Sequence, residues 1–82
     1  MIPRTYHEAD MAEHDEARER RIDWWKHTGK IKLTRVAESC GTTREYIRML
    51  VYGHRRPRAG LAQALGEHSG LSRKWWRPDV WG

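Results

Sequence analysis

Glycine divides this chain into short helical lengths, and that punctuation limits its fold more than any other feature. Gly29, Gly41, Gly53 and Gly70 close runs whose apolar residues recur three and four positions apart. No run alternates apolar and polar residues long enough to make a strand, so the chain reads as all-α. The first helix is expected from about Asp10 to Thr28, opened by a capping box of Asp10 with Glu13 or of Thr5 with Glu8. Its first half is mostly charged, with Glu16 and Arg20 spaced to pair across one turn. Ile22, Trp24 and Trp25 give the second half an apolar patch, so that half is expected to dock while the first projects or frays. This divides the chain into a charged helical extension, 1–21, and a domain, 22–82.

Further helices are expected over about Leu33 to Cys40, Thr43 to Tyr52 and Pro57 to Ser69. Leu33, Val36, Ala37 and Cys40 share one face of the second, and Thr42 or Thr43 caps the third. Leu61, Leu65 and His68 lie at helical spacing in the fourth, where Gly60 and Gly66 each cost roughly 1 kcal/mol relative to alanine. The tail, Leu71 to Gly82, carries Trp75, Trp76 and Trp81 around an Arg77-Pro78-Asp79 turn. Pro78 excludes one long helix there.

An 82-residue chain makes one small domain with a thin core. Its single cysteine, Cys40, excludes a disulfide framework and a cysteine-rich zinc site, and points to a reducing compartment. No apolar run reaches the roughly 20 residues of a membrane span, and Met1 to Asp10 hold no stretch long enough for a secretory signal. The expected location is cytoplasmic. Sixteen lysines and arginines against eleven acids give +5, a balance that suits a polyanionic partner and also suits mere solubility.

Two short helices around a tight glycine turn make a helix-turn-helix arrangement. Ala37 is small where the second helix must cross, Gly41 stands at the turn, and Ile47 faces inward at offsets of four and six. Plotted at about 100° per residue, Ile47, Leu50 and Val51 fall on one side of the third helix. Glu45, Arg48, Met49 and Tyr52 fall on the other, with Arg44 at the border.

The stretch Leu33-Thr34-Arg35-Val36-Ala37-Glu38-Ser39-Cys40-Gly41-Thr42-Thr43-Arg44-Glu45-Tyr46-Ile47-Arg48-Met49-Leu50, followed by Gly53-His54-Arg55-Arg56-Pro57, resembles the Cro/repressor helix-turn-helix family. The ending Trp76-Arg77-Pro78-Asp79-Val80-Trp81 is similar to the tail of phage Cro-like and YdaS-like members. The resemblance covers about Ile22 to Gly82 and implies a lambda-repressor-like compact bundle of about five helices, a double-stranded DNA operator as partner, and a homodimer. Leu33 stands where members commonly carry glutamine, and Thr42 where they carry valine or isoleucine.

In that docking mode the N-terminal part of the second helix of the motif meets base edges in the major groove. Thr43, Arg44, Glu45 and Arg48 are then the base readers: arginine grips guanine O6 and N7, and glutamate accepts from cytosine N4. Backbone contacts are expected from Lys32, Arg35, Thr42, Tyr46, Tyr52, His54, Arg55 and Arg56, with Lys30 and Arg58 nearby. Met49 and Tyr52 fit partial core and backbone contact equally well, and Tyr46 packs against the second helix with its hydroxyl near a phosphate. About five phosphates neutralised per subunit would give a log affinity against log salt slope near −4 to −5.

Trp25 and Trp76 read as core. Trp24, Trp75 and Trp81 exceed what one small core hides, so Trp75 and Trp81 are either a dimer interface or part of a larger aromatic cluster within one chain. The five histidines are scattered, with no i, i+4 pair and no cysteine partner, and no nucleophile–base pair or phosphate-cradling glycine loop appears. No metal, no cofactor, no small-molecule substrate and no membrane partner is therefore expected, and no enzyme activity. The leading reading is a Cro-like repressor. Its alternatives are an antitoxin-type regulator of its own operon and a helical protein-interaction module.

Overall fold

A computed structural model of the protein describes residues 2–81, with side chains described for residues 15–81. Among them every regular element is helical: α1 (Ile2–Thr28), α2 (Lys30–Ser39), α3 (Arg44–Val51), α4 (Ala59–Ser69), α5 (Arg73–Trp76) and α6 (Pro78–Trp81). The count is six rather than about five because Pro78 divides the tail. Arg77 is extended (φ −141°, ψ 75°), as a residue before proline prefers, and Pro78 then opens a new turn where its missing N–H costs nothing.

Helix α1 begins well before the expected Asp10, with Pro3 in the first turn, where no N–H is needed. Thr5 and Asp10 therefore fall inside the helix, and their side chains and those of Glu8 and Glu13 lie outside the described residues. The boundary drawn between residues 21 and 22 lies inside this helix, which runs on to Thr28 as expected. From residue 15 onward the half expected to project is docked: Ala17 is fully buried and Arg21 is 8 % exposed. Ala17, Arg21, Trp24 and Thr28 are spaced by four, three and four, which puts them on one stripe facing the bundle.

Helix α2 starts at Lys30, directly after Gly29, rather than near Leu33. It buries Leu33, Val36 and Ala37. Gly41 adopts φ 68°, a left-handed conformation that favours glycine, and turns the chain so that Thr42 N donates to Ala37 O at 2.9 Å. Thr43 caps α3, its Oγ1 accepting from Tyr46 N at 3.1 Å, and α3 buries Ile47, Leu50 and Val51. These close on Ala62 and Leu65 of α4 and on Trp76 of α5. Cys40 lies half-buried against this cluster, and burial, followed by the nearby Glu67, pushes its thiol pKa up.

Helix α4 starts at Ala59, not at Pro57, and turns Ala62, Leu65 and Ser69 inward with Leu61 half-buried. His68, expected on that face, is exposed. Ser69 takes the inward place instead, and at Gly66 α5 packs so closely that a Cβ there would meet Arg73 Cβ at 2.8 Å and Arg73 N at 2.9 Å. Ser69 is 1 % exposed and ties two indoles together. Trp24 Nε1 donates to its carbonyl at 3.0 Å, Trp76 Nε1 to its Oγ at 3.4 Å, and the two rings meet edge-on with centroids 5.3 Å apart. Trp76 is core as expected, while Trp24 and Trp25 are both half-buried against it.

Candidate nucleic-acid interface

The outward side of α3 gathers the residues that sequence singles out. Arg44, Arg48 and Tyr52 are spaced by four and share one stripe, with Glu45 beside Arg48. Glu45 and Arg48 are exposed, and they hold each other: Arg48 Nη2 lies 2.5 Å from Glu45 Oε1, and Arg48 Nε reaches both carboxylate oxygens at 3.2 and 3.3 Å. This hydrogen-bonded pair lowers the Glu45 pKa and raises that of Arg48. Both ends face solvent, so the pair is readily exchanged for another partner. Thr43 is exposed; capping uses one lone pair of its hydroxyl and leaves the proton free to donate.

The flanks are cationic. Lys32 and Arg35 are exposed on α2, whose first turn carries Lys30 and Lys32 and no acid. The positive end of the helix dipole adds to that charge. Arg44 lines a shallow depression with Lys26, Lys30, Trp25, Leu33 and Tyr52. Thr42, Tyr46 and Tyr52 are half-buried, and both tyrosines pack against the core, which leaves part of each ring at the surface. On the far side of Tyr52, His54, Arg55 and Arg56 are exposed in the loop between α3 and α4.

That loop is anchored from the tail by Arg77, where sequence indicates only a turn. Arg77 Nη1 donates to Pro57 O at 2.8 Å while Nε and Nη2 grip both oxygens of Asp79 at 2.8 and 2.7 Å. Arg56 approaches the same carboxylate at 3.7 Å. Hydrogen bonding by Arg77, ahead of every other influence, holds the Asp79 pKa down at about 2. Arg21, also passed over, donates from Nε to Val51 O at 3.2 Å and from Nη1 to Trp75 O at 2.7 Å. Burial, then the neighbouring Arg18, lowers its pKa to about 10, which leaves it charged at neutral pH. The signal for Arg21 was its place on the Ala17–Trp24 stripe.

Trp75 and Trp81 are half-buried, each ring covered by cations of its own chain. Arg20 and Lys74 lie 5.0 and 4.7 Å from the Trp75 centroid, and Arg73 lies 4.7 Å from that of Trp81. Among the described residues no group of acids, histidines and cysteine is arranged to hold a metal, and no helix is long and apolar enough to cross a membrane. Compared with protein-family models, curated proteins and solved structures, the chain matches none. The likeness to the Cro/repressor family therefore rests on the residues themselves.

Proposed function

We propose that the protein is a sequence-specific double-stranded DNA-binding regulator of the Cro-like kind, with α2 and α3 as a helix-turn-helix and α3 as its recognition helix. One observation carries this reading: α3 buries Ile47, Leu50 and Val51 completely or nearly so and leaves Thr43, Glu45 and Arg48 exposed. A helix so divided has an outer face free to enter a major groove while its inner face holds it rigid. Cations on both sides, Lys32 and Arg35 before it and His54, Arg55 and Arg56 after it, suit phosphates flanking the groove. Two such chains joined around the half-exposed Trp75 and Trp81, with the cations that cover their rings, would present two α3 helices to successive grooves, about 34 Å apart. The activity is binding alone; repression follows from occupying a promoter.

Selection from random duplexes, followed by anisotropy titrations of the selected sequence, tests the proposal. The expected result is one enriched sequence whose preference over random duplex falls roughly tenfold or more in Arg48→Ala. Enrichment of no sequence, or an unchanged preference in that variant, would sink it. Sedimentation of a Trp75→Ala, Trp81→Ala double variant tests the pairing: the proposed dimer gives way to monomer.

A further inference from the structure

A second feature lies on the side of the bundle where α1, the loop after α3 and the tail converge. They enclose an open cleft of about 500 Å³, within the size range of small-ligand sites. Five guanidiniums line it, from Arg18, Arg21, Arg55, Arg56 and Arg77, against two carboxylates, Asp15 and Asp79. Asp79 is already engaged by Arg77 and Arg56. Arg18, Arg21 and Arg55 have no ion pair among the described residues.

Arg21 is the group this arrangement leaves unfinished. It is 8 % exposed, and its Nε and Nη1 are spent on the Val51 and Trp75 carbonyls. Its Nη2 has no hydrogen-bond partner among the described residues, yet no buried side-chain nitrogen there lacks one, so Nη2 opens to the cleft. It lies 4.0 Å from where a Cβ on Gly53 would stand, and Gly53 and His54 form the adjoining wall. A largely buried cation, with a second beside it and one donor facing the cleft, is most favourably completed by an anion with several oxygens.

We propose that this cleft binds a small molecule bearing a phosphate monoester, whose oxygens take Arg21 Nη2 together with Arg18 and Arg55. Concavity favours a terminal phosphoryl group over the backbone of a duplex, whose phosphates lie along a convex ridge. The ligand is held without chemistry. Nothing in this site requires that the protein bind DNA.

Titration of the whole chain with 5′-AMP and with inorganic phosphate, against sodium chloride at matched ionic strength, tests the proposal by amide and arginine Nε–Hε NMR shifts. Saturable shifts are expected at Gly53, His54 and Arg21 with both phosphates. Arg18→Gln and Arg55→Gln, at exposed positions and with the fold of each checked by circular dichroism, should each weaken 5′-AMP binding roughly tenfold. Lys32→Gln, away from the cleft, should leave it unchanged. Shifts that do not saturate, 5′-AMP affinity in both cleft variants unchanged from that of the unaltered chain, or a response at Gly53 to duplex DNA alone would each overturn it.

Discussion

Arg21 reaches the carbonyl of Val51, thirty positions on, at 3.2 Å, and so joins the C-terminal third of α1 to the C-terminal end of α3. The last carbonyls of a helix have no partner within it, and a cation there also opposes the negative end of the dipole. The same guanidinium takes Trp75 O, so one side chain fixes α1, α3 and α5 together. Arg21→Met keeps the apolar stem and orphans both carbonyls. A loss of roughly 2–4 kcal/mol is expected, a fall in Tm of about 10–25 °C by calorimetry. Arg21→Lys, with one compact head in place of a fork, should fall between the two. If methionine leaves Tm unchanged, the strut contributes nothing.

The two glycines within α4 should respond in opposite directions to alanine. Gly60 has open space where a Cβ would go, so Gly60→Ala is expected to stabilise by roughly 0.4–1 kcal/mol through lost freedom of the unfolded chain. At Gly66 the new carbon would stand 2.9 Å from the Arg73 backbone nitrogen, which cannot swing aside as a side-chain tip can. Gly66→Ala must push α5 away from α4, at a cost of about 1–3 kcal/mol. Urea titrations of the pair measure both signs. A stabilised Gly66→Ala would show that the close approach is not rigid.

Acid should weaken the tail through Asp79. Its pKa falls from 3.8 to about 2 on folding, so the unfolded chain takes up the proton first as pH drops. The stabilisation is complete above about pH 4 and disappears as pH falls through about 2. Asp79→Asn removes it at all pH values. The variant should be less stable by on the order of 1 kcal/mol at pH 7, after allowing for solvent screening, with the gap closing toward pH 2. Denaturant midpoints at a series of pH values follow the gap; a constant difference would detach Asp79 from the effect.

Local rules made the α2–α3 region legible. The period of 3.6 places Ile47, Leu50 and Val51 inward; Gly41 has the conformation that its turn needs, and Thr43 makes the capping bond that its type favours. Long-range relations were not legible. Arg21 sits in a run of charge, and its partners lie thirty and fifty-four positions away. His68 matched the apolar spacing, yet its neighbour Ser69 is the residue buried, where it meets two indoles from other helices. Arg77 reads as turn because Pro78 follows it, while its contact with Pro57 comes from another part of the fold.

If α3 reads DNA as proposed, the pairing of Arg48 with Glu45 predicts how duplex binding should change when the glutamate is neutralised. In the free protein Glu45 occupies Nε and Nη2 of Arg48, the fork that a guanine would otherwise take. Binding in the groove requires Arg48 to leave, and Glu45 to find a cytosine amino group or remain unpaired among phosphates. Glu45→Gln releases the fork and removes one repulsive charge. Affinity for random duplex should therefore rise several-fold, more than affinity for the selected sequence, so that discrimination narrows. In Arg55→Gln the salt slope should shrink by about one unit with the sequence preference kept. Anisotropy titrations over a range of salt separate these effects, and a Glu45→Gln protein that binds both duplexes as before would place α3 away from the DNA.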